Sequence, residues 1–245
     1  MNFSKLLFFV WRAWLWACIL FGLAAFSPIG VVLISFQKTY SLFHLFCRWW
    51  CRLVLLLNGY WYQIKLTEKL NTSSAYIICP NHTSKFDIIL LFAVMPRTFV
   101  FIGKKGVTKF AFFEWFYNKT MITFDRDNVA SSFRAYRKAD QLLKLGTSIV
   151  IFPEGGVPPK NVMLGKFKLG AFKLAIHNQI PIIPITFVDN KKKHPEDELK
   201  LKLGLLRVHI HAPVSTKGMR VKDANMISNR VFDTINTTLI KHENQ

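Results

Sequence analysis

Apolar residues dominate the first sixty positions, and over 13–36 the chain carries no formal charge. At about 1.5 Å per residue such a helix spans a bilayer core of roughly 30 Å. Pro28 and Gly30 interrupt it, and proline inside a helix removes a hydrogen bond and crowds the preceding turn, so two shorter helices compete with one span. The second would include 42–57, where Arg48 and Arg52 stand among Phe46, Trp49, Trp50 and Leu53, a mixture typical of the membrane–water interface. Lys5 and Arg12 ahead of an apolar run also fit a cleaved signal peptide. Apolar character that continues to Leu57 argues instead for an uncleaved anchor.

Past Gly59 the pattern changes. Short β-branched or alternating runs predict strands at 61–66, 75–79, 98–102, 121–124, 148–152, 182–187 and 206–211. Helical spacing predicts helices at 86–94, 130–145, 169–177 and 224–240, and the Lys- and Glu-rich stretch 191–202 reads as a solvated loop. Strands alternating with helices imply an α/β fold, a largely parallel or mixed sheet covered by helices, preceded by an N-terminal membrane-associated helical segment. The division expected is 1–58 as membrane-anchoring helices and 59–245 as one catalytic or binding domain.

Composition sharpens this picture. Lys and Arg number 33 against 14 Asp and Glu, a formal charge of +19, yet 51% of residues are hydrophobic. High charge with high hydrophobicity excludes a disordered basic tail, and a mean hydropathy of +0.23 argues against an ordinary soluble domain. An anionic membrane face suits such a chain, each Lys or Arg near it contributing about 1 kcal/mol. Nucleic acid is the rival polyanion; seven Trp and 23 Phe favour the membrane. Four cysteines without a CxxC pair make neither a disulfide framework nor a zinc site, and they read as small buried hydrophobes in a reducing compartment.

Functional groups of open α/β sheets gather at the carboxyl ends of strands. Two polar clusters fall there, Asn81-His82-Thr83-Ser84-Lys85-Phe86-Asp87 and Phe152-Pro153-Glu154-Gly155. On one regular helix His82 and Asp87 would point about 140° apart. They meet only if His82 lies in the turn before the helix and Asp87 on its first turn, and then Asp87 holds one imidazole nitrogen and leaves the other as a general base. The competing reading makes Ser84-x-x-Asp87 a capping box, with His82 an incidental turn residue. His209 and His211 share a strand face without a third ligand, so no metal is expected.

The paired blocks, Asn-His-x-x-x-x-Asp followed by Phe-Pro-Glu-Gly, resemble the 1-acylglycerol-3-phosphate acyltransferase family of glycerolipid synthesis. Phe124-Asp125-Arg126, beyond Lys104 and Lys105, is similar to the family block whose Arg helps hold the acceptor's phosphate; 180–185 resembles its apolar Pro-containing block, and Lys166-Phe167-Lys168-x-Gly170 the segment after Glu-Gly. The likeness covers about 60–220. It implies acyl transfer from acyl-CoA or acyl carrier protein to the hydroxyl of a lysophospholipid, in a membrane-associated protein whose catalytic domain faces the cytoplasm. His82 and Asp87 would be catalytic, with Arg126, Glu154, Gly155, Lys104 and Lys105 binding substrate and Glu154 orienting the acceptor or Arg126. The partners implied are membrane phospholipids, the lysophospholipid and the acyl donor, with no nucleic acid and no cofactor beyond the donor. Gly156 and Val157 stand where the family usually has Thr or Ser and then Arg, and Thr120 replaces a common Gly. These departures leave room for another lysolipid acceptor. Covalent transfer through Cys79 is the less favoured chemistry, and a non-enzymatic polyanion binder is the remote alternative.

Overall fold

The strands owe their burial patterns to their places in the sheet. Residues 77–80, 148–150 and 182–187 are buried at every position because helices cover both faces of a central strand. The computed structural model describes residues 3–71, 74–84, 86–104, 117, 120–125, 128–193 and 202–243. Its strands are β1 (Tyr60–Leu66), β2 (Ile77–Pro80), β3 (Phe99–Lys104), β4 (Met121–Phe124), β5 (Ser148–Val150), β6 (Ile182–Phe187) and β7 (Gly204–Ile210). They form a seven-stranded sheet in the order β1-β7-β6-β2-β5-β3-β4. All neighbours are parallel except β6 and β7, so the sheet is mixed, with β1 and β7 running against the other five. β7 alternates buried and half-buried residues and β1 is largely exposed, as expected toward a sheet edge.

The helices are α1 (Phe3–Ser35), α2 (Tyr40–Leu57), α3 (Phe86–Val94), α4 (Val129–Lys144), α5 (Gly170–Asn178), α6 (Asn190–Lys193) and α7 (Ala224–Glu243). Successive residues of β2 face opposite layers. Ile78 joins Leu90 and Leu91 of α3 with Val54 and Leu55 of α2, whereas Ile77 and Cys79 join Phe172 of α5 and Val231 of α7. α4 is capped by Asn128, whose side chain accepts the Ser131 N–H at 3.0 Å.

At the N-terminus the sequence leaves one span and two shorter helices open, the second helix to include 42–57. α1 continues through Pro28 without interruption and a second helix follows it, so the region holds one long helix and one shorter one. The two pack by aromatic contacts, Phe26 lying 4.0 Å from Phe46 and 5.4 Å from Trp50 between ring centroids. α2 also reaches the sheet domain. Val54 and Leu55 are buried in its core, and Arg52 Nε donates to the Ala93 carbonyl at the end of α3 at 2.9 Å. Outward-facing Phe21, Trp49 and Leu56 remain more than 60% exposed. α1 is long and apolar enough to cross a membrane. α6 takes in 191–193 of the stretch expected to be loop, and 194–201 lie outside the described residues.

Candidate active site

β2 ends at Pro80 and α3 begins at Phe86, and the turn between them sits where the carboxyl ends of β2, β5 and β6 converge. Asn81 anchors it. Its Nδ2 donates to the Phe187 carbonyl at 3.2 Å and its Oδ1 accepts the Phe187 N–H at 2.7 Å, so a fully buried amide ties the turn to the end of β6.

Asp87 lies on the first turn of α3, wholly buried, and His82 lies in the turn before it. His82 Nδ1 is 2.9 Å from Asp87 Oδ2. Oδ2 also accepts the backbone N–H groups of Thr83 at 2.6 Å and Ser84 at 3.0 Å, and Oδ1 accepts the Thr83 hydroxyl at 2.7 Å and Asn190 Nδ2 at 2.6 Å. Ser84 Oγ accepts the Phe86 N–H at 3.1 Å. Asp87 thus supplies one half of a capping box, accepting the Ser84 N–H, and grips His82 with the same oxygen, while the Ser84 hydroxyl turns to the Phe86 N–H and the Asp87 N–H meets the Ser84 carbonyl at 3.1 Å. A carboxylate so placed is purely an acceptor, so Nδ1 carries the imidazole proton and Nε2 keeps its lone pair. The His82 ring stacks on Phe152 at 4.1 Å and 22°, and Phe152 stacks in turn on Phe101 of β3, which fixes the imidazole plane.

Glu154 works from behind. Its Oε1 accepts the His82 N–H and its Oε2 the Gly165 N–H, each at 2.6 Å. Burial raises the Glu154 pKa, and the two amide bonds oppose that rise. With these two bonds the carboxylate fastens the dyad turn to the loop after β5; each oxygen keeps a second acceptor site. Gly165 permits the approach, since a Cβ there would stand 2.9 Å from Oε2. Gly155 takes φ +74°, a left-handed turn that brings the chain back so that the Lys168 N–H meets the Pro153 carbonyl at 2.8 Å.

The structure thus gathers His82, Asp87, Glu154 and Gly155 at one sheet edge. Lys104 ends β3, its backbone paired with Phe124 at the same carboxyl edge. Its side chain, and Lys105 and Arg126 altogether, lie outside the described residues. Cys79 is fully buried, and burial pushes its thiol pKa up, which makes it a poor nucleophile. His209 gains a neighbour unforeseen in the sequence, His242 of α7, at 3.1 Å between Nε2 atoms. Beside the dyad turn, a cleft of about 720 Å³ has Asn81 and Thr83 on one wall and Lys160, Lys191, Lys192 and Lys202 around it.

Thr83 and Phe152 stand in the two clusters that the sequence singles out, without a role assigned to them there, and sequence reasoning missed Gly165 and Asn190 altogether. Spacing reveals local partners such as Thr83, but only the adjacency of β2 and β6 brings Asn190 to Asp87.

The chain is similar to known proteins over much of its length. The family described as Acyltransferase matches residues 62–188, more than half of the chain. The human 1-acyl-sn-glycerol-3-phosphate acyltransferase alpha is 30% identical over 189 residues, 74% of this chain and 65% of that protein. The chloroplastic 1-acyl-sn-glycerol-3-phosphate acyltransferase of Arabidopsis thaliana is 29% identical over 206 residues, 80% of this chain and 57% of that one. The chain thus spans less than two thirds of the length of these curated relatives. The crystal structure of the 1-acyl-sn-glycerophosphate (LPA) acyltransferase from Thermotoga maritima superposes with a TM-score of 0.82 at 17% identity, covering 99% of this chain and 98% of that one, a match of fold. With its matched segment running from β1 through the dyad turn to the end of β6, the chain belongs to the acyltransferase family.

Proposed function

We propose that this protein is a membrane-associated acyltransferase of phospholipid biosynthesis. It moves a fatty acyl group from acyl-CoA or acyl carrier protein to the free hydroxyl of 1-acylglycerol-3-phosphate, giving phosphatidic acid. The observation that carries the reading is the His82–Asp87 contact of 2.9 Å at the carboxyl edge of the sheet.

An alcohol is too weak an acid to attack a thioester unaided. His82 Nε2 takes the hydroxyl proton as the oxygen adds to the thioester carbonyl. Buried Asp87 stabilises the imidazolium, and the proton then passes to the departing thiolate as the tetrahedral intermediate collapses. Arg126, with Lys104 and Lys105, is assigned to the acceptor's phosphate, which suits a guanidinium's planar donor fork. Glu154 and Gly155 are assigned to substrate binding, with Glu154 orienting the acceptor or Arg126. The lysine-lined cleft suits the phosphate of the phosphopantetheine arm that both donors carry.

Residues 1–58 are assigned to membrane attachment and 59–245 to catalysis, with the catalytic domain on the cytoplasmic side, where its donors are found. The exposed apolar face of α1 and α2 supports attachment.

The test is mass-spectrometric detection of phosphatidic acid from lysophosphatidic acid and acyl donor, with His82→Ala as the control; equal product from both proteins would overturn the reading. Gly156 and Val157, in place of a hydroxyl residue and an arginine, favour a second acceptor. A panel of lysolipids offered with one donor distinguishes the two.

A further inference from the structure

Five donors reach the Asp87 carboxylate, and four of them belong to residues 82–84 of its own turn. The fifth, Asn190 Nδ2, comes from 103 residues along the chain, beyond the end of β6 and outside the segment that matches the family. Asn190 is fully buried.

Its amide has one useful orientation. Nδ2 donates to Asp87 Oδ1 at 2.6 Å, while its Oδ1 is buried without a partner among the described residues. An unpaired buried acceptor destabilises the fold. Turning the amide over would be worse, because it would press Oδ1 against Asp87 Oδ1, acceptor on acceptor. Its neighbours hold the backbone in place. Asp189 is gripped by Arg207 through contacts of 2.7 and 2.9 Å. Lys191 Nζ donates to the Pro159 carbonyl at 3.1 Å and also to that of Val162.

We propose that Asn190 is a positioning residue for the dyad. Its amide fixes Asp87 Oδ1 from across the sheet, so that Oδ2 stays aimed at His82 Nδ1. A neutral donor suits this task. A lysine or arginine there would compete with the imidazolium for the carboxylate's charge, whereas an amide fixes the oxygen and leaves that charge for His82. The inference rests on the reading of His82 as general base.

Among the described residues, the titratable groups around Asp87 are His82 on its own turn, Glu154 from the loop after β5, and Asp189 and Lys191 flanking Asn190. Glu154 is committed to the amides of His82 and Gly165, Asp189 to Arg207, and Lys191 to the 159–162 loop. A new titration in an Asn190 variant therefore belongs to the altered pair.

The experiment compares the full-length wild type, His82→Ala, Asn190→Leu and Asn190→Asp for acylation of lysophosphatidic acid across pH, with thermal melts of each. Asn190→Leu, which keeps bulk and removes the donor, should lose about 10–100-fold in kcat at every pH, with both KM values within about threefold. Asn190→Asp is isosteric. Two carboxyls in contact hold one proton between them, and its O–H replaces the amide donor. This variant should approach wild-type rates at low pH and fall as the shared proton leaves, a descending alkaline limb absent from the wild type. Turnover by His82→Ala removes the general-base reading itself. With His82→Ala inactive, a wild-type kcat in Asn190→Leu or a wild-type pH profile in Asn190→Asp overturns the assignment of Asn190 alone. If Asn190→Leu melts early, the profile of the isosteric variant decides.

Discussion

The dyad turn and the α1–α2 hairpin use burial in opposite ways. In the turn, Asn81, Thr83, Ser84 and Asp87 are at most 4% exposed, and each has hydrogen-bond partners inside the domain. On the hairpin the large apolar side chains of Phe21, Trp49 and Leu56 point outward and stay more than 60% exposed, even with Trp50 beside Phe21 and the Arg52 guanidinium over the Trp49 ring. A buried polar network is stable only when its members are satisfied together, so the turn is complete as it stands. An apolar face of this extent is stable only in apolar surroundings, so the hairpin is complete only against a partner such as a bilayer.

The largest effect should come from breaking the turn at its two centres. His82→Ala should lower kcat by at least about 10²-fold, since general-base catalysis contributes about 10²–10⁴-fold, with thermal stability near wild type because the ring lies at the open side of the site. Asp87→Asn should be nearly as severe in activity, because the amide can stabilise the wrong imidazole tautomer. Asp87→Ala should also destabilise the fold, since it strands the Thr83 and Ser84 amides and Asn190 Nδ2 in the interior, at about 1–3 kcal/mol for each group left unpaired. Parallel assays and melts check this. An Asp87→Ala protein as stable as His82→Ala would mean that the network is not what holds the turn.

The hairpin's two faces give the next test. Leu55 is 1% exposed within the core shared with the sheet domain, and its neighbour Leu56 is 68% exposed. Leu55→Ala should cost about 2–5 kcal/mol in unfolding experiments, and Leu56→Ala about 0.5 kcal/mol or less. The order reverses for attachment. Leu56→Ser combined with Trp49→Ser should weaken partition into anionic vesicles by at least about tenfold, since burying one such side chain contributes about 1.5–3 kcal/mol and 1.4 kcal/mol is tenfold. Unchanged partition would place the membrane contact elsewhere.

A smaller effect separates the sheet's far edge from the dyad. His209 and His211 have pKa values lowered to about 4 from the ordinary 6.5, chiefly by burial, with further cationic neighbours acting on both. Folding weakens their hold on a proton, so the unfolded chain binds more protons between these values. The stability they contribute is fully present above about pH 6.5 and is lost as pH falls toward 4. Melting temperature should therefore drop across that window, and His209→Gln with His211→Gln should flatten the drop.

Much of this architecture is legible in the sequence because burial leaves a pattern. Strands β4 and β6 and helix α3 fall on their predicted residues, since largely apolar runs between turn signals mark an element whether it is central, like β6, or at the sheet edge, like β4. Whether α1 runs unbroken through Pro28 stays open in the sequence, because a proline's local cost alone does not decide between a kink and a continuous helix. Within the site, the His82–Asp87 pair is readable from five-residue spacing plus an N-cap. Glu154's grip on two backbone amides and Asn190's on Asp87 depend on which strands lie side by side, which no spacing along the chain encodes.

The finest distinction lies between adjacent glycines. Gly155 has φ +74° and a Cβ there would come 3.0 Å from Lys168 Cε, while a Cβ on exposed Gly156 would meet nothing within 4 Å. Gly155→Ala forces an L-residue into the left-handed region at about 1–2 kcal/mol, and it strains the loop that carries Glu154. Gly156→Thr, which supplies the hydroxyl usual in the family, should change stability by about 0.5 kcal/mol or less. If that hydroxyl helps choose the acceptor, the substitution should alter the ratio of kcat/KM between lysophosphatidic acid and a lysolipid with an uncharged headgroup, leaving the donor's KM in place. A drop in melting temperature equal to that of Gly155→Ala would show the backbone constrained at both positions, and glycine at 156 would then be a demand of the fold rather than a mark of the acceptor.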